Sequence, residues 1–188
     1  MRVSRVQAAE NRERVLDAAT RLFRERGFDG ISVADVMQGA GLTHGGFYGQ
    51  FGSKEDLAAE ACTRAFAKTH ERWTRKIDAE GAAGFAAIVR NYLSPQHRDH
   101  PGAGCTLAAL GADASRRERA VQGAFAASLA ATVDLVSRVM PGRLKAARRR
   151  RALATMASLV GALVLARAVD DRNLSDEILA ATAAALGE

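Results

Sequence analysis

Reactive side chains gather in two short stretches of the chain. In the first, residues 94–104 are rich in His, Pro and Gly and lead through Pro101-Gly-Ala-Gly to Cys105. The thiol then sits at the first turn of a short helix predicted over 105–112, where backbone N–H groups favour a thiolate. His97, Arg98 and His100 add positive charge nearby. This suits attack on an electrophile or oxidation, against the plainer role of a small apolar side chain filling the helix start. His97, His100 and Cys105 make three metal donors with no fourth, so no metal or cofactor is expected. A Cys–His pair also suggests a thiol-dependent enzyme. Nothing supplies an orienting partner or an oxyanion hole, so the chain is not expected to be an enzyme.

The second stretch is Thr43-His-Gly-Gly-Phe-Tyr48, and the surrounding elements must position it. Val15, Leu16, Ala18, Ala19, Leu22 and Phe23 recur at three- and four-residue steps, predicting a helix over 11–26 that Gly27 stops. Ser32 and Asp35 form a capping box for a second short helix with Val33 and Val36 inward. Thr43 caps a third running to about Phe51, and Ser53 with Asp56 caps a long fourth from Lys54. Two short helices joined at Gly41 make a helix-turn-helix. Phe47 and Phe51 point inward, leaving His44, Gly45 and Tyr48 outward with Thr43 at the tip. Adjacent glycines inside a helix cost about 1 kcal/mol each. Gly45 and Gly46 either let the backbone approach a phosphate or base edge, or pack closely on the first helix.

Over residues 12–61 these features closely resemble the DNA-binding module of TetR/AcrR-type transcriptional regulators. The likeness rests on Ala19-x-x-Leu-Phe-x-x-x-Gly-Phe28, Gly41-Leu-Thr43, Phe47-Tyr-x-x-Phe51 and Ser53-Lys-Glu-Asp-Leu57. Gly49-Gln50 departs from it, since members more often carry a bulky residue or histidine there. The resemblance implies that Thr43, His44, Gly45 and Gly46 lie nearest the major groove. It implies that Tyr48 touches phosphate or a thymine methyl, and that Lys54 and Ser32 meet phosphates from helix ends. It also implies a palindromic operator, a small-molecule inducer of unknown identity and, in some members, a sensing cysteine placed like Cys105. Repression released by the inducer or by Cys105 modification is therefore expected. The alternative is a thiol-dependent enzyme or ligand-binding protein on the same scaffold without DNA function.

Beyond Ala65 only periodicity speaks, and it reads as helix. Cys62, Phe66, Thr69, Trp73 and Ile77 share one face of the fourth helix, and Gly81 and Gly84 punctuate before a fifth carrying Phe85, Ile88, Val89, Tyr92 and Leu93. A helix over 118–140 turns Val121, Phe125, Leu129, Val133, Val136 and Met140 inward, and the last helix, 176–186, is capped by Ser175. Between them lies a helix over 143–169. Its section 152–166 is uncharged and apolar on every side, so one face packs on its own subunit and the other needs a partner. The helices 143–169 and 175–186 are thus the expected homodimer interface. Cys62, Phe66, Trp73, Phe85, Tyr92, Phe125, Met156 and Cys105 are candidates to line an effector pocket. The basic run 143–151 reads as a solvated face rather than a nucleic-acid patch.

The expected fold is all-α: a three-helix helix-turn-helix DNA-binding domain, 1–53, and a helical ligand-binding and dimerisation bundle, 54–188. Composition agrees, with 188 residues, three prolines and 48% apolar side chains. Two cysteines exclude a disulfide framework. An apolar run of 15 residues falls short of the roughly 20 that a bilayer needs, and residues 1–11 hold no leader-like apolar run, so a cytoplasmic location and no membrane partner are expected. A formal charge of +6 permits a polyanionic partner.

Overall fold

The structure, a computed structural model, describes residues 5–187; Met1–Ser4, part of the stretch 1–11 expected to hold no leader, lie outside it. Among the described residues there are eight α-helices and no strand. They are α1 (Arg5–Arg26), α2 (Val33–Gly39), α3 (Lys54–Tyr92), α4 (Pro95–Asp99), α5 (Thr106–Ala114), α6 (Arg119–Ser137), α7 (Lys145–Ala168) and α8 (Arg172–Gly187). Two 3-10 turns, His44–Gly46 and Pro101–Ala103, complete the order.

Local chemistry explains the breaks. Ser32 and Asp35 form the reciprocal capping box of α2, and the Ser53 hydroxyl accepts from the Asp56 N–H at the start of α3. Gly81 takes φ 56° and ψ −130°, so α3 is two legs, 54–80 and 82–92, meeting at a kink.

The chain buries two cores. One joins α1, α2, the reading turn and Leu57–Phe66 of α3 to Leu110, Ala114 and Val121. The other joins Trp73 to Leu93 with α7 and with Val133, Val136 and Leu179.

Several expectations need correcting. The third helix shrinks to a single 3-10 turn, because Gly45, Gly46 and Gly49 give little support to a longer one. The stretch 94–104 is not plain loop: Ser94 caps α4, and the 3-10 turn follows. Ser175 does not cap the last helix. Asp171 does, its carboxylate accepting from Asn173 and Leu174 N–H, while buried Ser175 donates to Ala166 O. Leu129 lies on the exposed side of α6. Nor is α7 buried all round. Met156, Leu159 and Leu163 face inward, while Leu153, Val164 and Leu165 are 44%, 42% and 57% exposed. By length and hydropathy alone α6 and α7 would pass as membrane spans.

Candidate nucleic-acid interface and effector cavity

The reading turn is anchored by its aromatic residues. Phe47 is fully buried and stacks on Phe51 at 5.6 Å between centroids. Gly46 N–H donates to Thr43 O, Phe47 N–H to His44 O and Phe51 N–H to Phe47 O. Tyr48 packs edge-on against Phe47, stays 69% exposed, and lies 6.2 Å from the His44 ring. Thr43, His44, Gly45 and Gly46 are likewise exposed, and the Thr43 side chain makes no cap bond. A Cβ at Gly45 would meet nothing within 4 Å, and one at Gly46 only Met37 Cε at 3.6 Å. Close packing therefore requires neither glycine.

Lys54 makes no hydrogen bond or ion pair among the described residues and stands at the first turn of α3. The Ser32 hydroxyl is already engaged with the Asp35 carboxylate at 2.6 Å, a bond that holds that carboxyl below the usual range. Gln50, at the position departing from the resemblance, donates from Nε2 to Gly46 O at 3.2 Å and so braces the turn.

Ion pairs tie this module to the rest of the chain. Arg12 meets Glu60, Arg64 meets Glu13 and Asp17, and Arg117 meets Asp29 and Glu55. Arg24 adds a half-buried tie: its Nη1 donates to Gly104 O at 2.9 Å, and loss of solvent lowers its pKa. The same peptide unit is held from the other side. Cys105 N–H donates to His97 Nε2 at 3.0 Å, and His97 Nδ1–H donates to Tyr92 O at 2.7 Å. Burial lowers the His97 pKa, and that pair of bonds suits the neutral ring. One peptide group thus connects α1 to the end of α3.

A cavity of about 310 Å³ opens against this clasp, walled by Trp73, Ile88, Tyr92, His97, His100 and Cys105. Of the expected pocket residues it brings together Trp73, Tyr92 and Cys105. Cys62, Phe66 and Phe125 belong to the first core, and Phe85 and Met156 to the second. Burial pushes the Cys62 thiol up to about 12, so it stays protonated. Cys105 is half-buried and caps α5 from outside the helix, without a side-chain cap bond. The cations facing it are Arg24 and Arg167. Arg98 is instead buried, donating to Ser175, Asp176 and Asp99. Both His97 nitrogens are engaged, so His97 is not free to join His100 and Cys105 as a metal donor, and no donor cluster occurs among the described residues.

Arg24, Arg72 and Arg167 were not singled out from sequence. The carbonyls that Arg24 and Arg167 bond, of Gly104 and of His97 and Arg98, lie far along the chain, and Arg72 bonds none of the described residues, so spacing carries no signal.

Residues 15–61 match the model of the tetR family of bacterial regulatory proteins. The HTH-type transcriptional regulator TtgR of Pseudomonas putida is 31% identical over 93 residues, covering 50% of this chain and 44% of that protein. AcrR of Shigella flexneri is 37% identical over 59 residues, 31% of this chain and 27% of that one. Residues 15–61 are a DNA-binding module of the TetR type. The matched stretches span less than half the length of these relatives. The whole fold is also shared: the reduced form of Escherichia coli NemR aligns with TM-score 0.79, 22% identity and 94% of both chains. A TetR-family regulator from Agrobacterium tumefaciens aligns with TM-score 0.79 and 18% identity, covering 95% of this chain and 98% of that one.

Proposed function

We propose that this chain is a homodimeric, sequence-specific DNA-binding repressor of the TetR type working in the cytoplasm. The observation that carries the reading is the exposed turn 43–48, whose two glycines have no packing reason to be glycine. Thr43, His44, Gly45 and Gly46 face the major groove. Tyr48 and Lys54 meet the backbone, and Ser32 belongs to the same surface with its hydroxyl held by Asp35. The unit 1–53 reads DNA, and 54–188 dimerises through α7 and α8, so two turns meet the half-sites of a palindromic operator.

Release follows from a small molecule in the cavity or from modification of Cys105. Both act beside the Gly104–Cys105 peptide, which Arg24 ties to α1. Moving that peptide or tilting α3 changes the spacing of the two turns. The NemR structure, described as a reduced form, supports attention to the thiol. Iodoacetamide tests this: the thiolate sulfur bonds to the methylene carbon and iodide leaves. Alkylation should release DNA from the native chain and not from Cys105→Ser; equal release from both defeats the thiol reading.

Fluorescence anisotropy of the protein against duplex from upstream of its own gene, with scrambled duplex as control, tests the whole. Tight, selective binding is expected. A folded dimer that binds neither duplex favours a ligand-binding protein or thiol enzyme on this scaffold.

A further inference from the structure

We propose that the cavity beside Cys105 takes a small apolar monocarboxylate, with its anion on Arg72 and its body along Trp73 and Ile88. The inference rests on the effector reading above, and its test separates the two. A second hollow of about 380 Å³ shares Arg72, Trp73, Ile88 and Asn91 with the first, so both form one trough along the two legs of α3. Its floor is apolar, from Trp73, Ala79, Ala87 and Ile88.

Charge decides the ligand class. Neither wall includes a carboxylate among the described residues, whereas Arg72, Arg75 and Lys76 all line the outer hollow. Arg75 pairs with Glu71 at 2.9 Å and Lys76 pairs with Glu80. Arg72 has no ion pair or hydrogen bond among the described residues, which leaves one uncompensated cation where the hollows join. At the inner end the Tyr92 hydroxyl is buried without an oxygen or nitrogen partner and abuts the Cys105 thiol. Burial keeps this phenol protonated, so it offers a hydrogen-bond donor. One free cation over an apolar floor matches a monoanion with a hydrocarbon body. A dianion lacks a second free cation, and a cationic ligand meets repulsion.

Trp73 is the only tryptophan, so its emission reports on the trough. Decanoate, decanol and decylamine share one chain and differ in charge. Decanoate should change the emission saturably and bind at least about tenfold more tightly than decanol, because charge-assisted hydrogen bonds are roughly twice as strong as neutral ones. Decylamine should bind worst. Arg72→Gln should bring decanoate level with decanol, and Arg72→Lys should restore most of the gap. Arg72 is solvent-exposed, so both variants fold, which circular dichroism checks. Equal binding of decanoate and decanol, a preference surviving Arg72→Gln, or no saturable response overturns the proposal. Charge-selective binding that leaves DNA affinity untouched supports the site and defeats the effector reading alone.

Discussion

A methyl group at Gly45 points into open space, and one at Gly46 only touches Met37. Gly45→Ala and Gly46→Ala should therefore fold normally, with stability unchanged or raised by up to about 1 kcal/mol, since alanine favours helical backbone over glycine. Both should still bind operator DNA at least about tenfold more weakly if the backbone comes close to the duplex, a cost typical of one disrupted base-pair contact. Thermal melting and anisotropy check the two halves; native affinity in both variants contradicts the close approach. Lys54→Ala should weaken matched and mismatched DNA alike and flatten the salt dependence, whereas His44→Ala should alter sequence preference. A salt titration on both duplexes separates them. His44 and Tyr48 were legible in the sequence because a four-residue step on a short turn is local information. Arg98 was not, because its partners Ser175 and Asp176 lie more than seventy residues away. Only the fold shows that it points away from Cys105.

Among elements, the segment from α4 to the start of α5 carries the most specific expectations. Arg24 from α1, Arg72 from α3 and Arg167 from α7 surround His97, with Tyr92 and Cys105 beside it. Burial first, and then these cations, lower the His97 pKa, although its bond to Tyr92 O opposes them. The unfolded chain therefore takes up a proton near the ordinary value of about 6.5 that the folded chain resists. This contribution to stability is complete above about pH 6.5 and is lost as pH falls toward the lowered folded value. Urea midpoints at pH 7.5 and 5.5 should differ more for the native chain than for His97→Gln, and equal differences rule the ring out. Arg98→Met should cost about 1.5–3 kcal/mol, the usual loss when a hydrogen bond to a charged group is removed, read as a lower Tm. Caps and glycine stops made α1, α2 and the start of α3 legible in the sequence. The third helix and the Ser175 cap were misread. Glycine content outweighed the Thr43 cap at the first, and Asp171 offered a better cap four residues before the second.

For the whole molecule, the apolar pattern of α7 revealed a second face but not its extent. The structure puts Leu153, Val164 and Leu165 on that face, with Leu174 43% exposed on α8. Val164→Glu with Leu165→Glu should give a folded monomer by light scattering, because neither side chain supports the chain's own core. Its DNA affinity should fall toward the non-specific level, since a monomer reads one half-site. A stable dimer in this variant contradicts the proposed interface. Selection of bound duplexes from a random pool asks whether two copies of the turn 43–48 read a symmetric site. The native chain should enrich a palindrome whose half-site centres lie about one helical turn, roughly 34–36 Å, apart or a multiple of that. A folded dimer that enriches no sequence, or only one without two-fold symmetry, contradicts this symmetric reading.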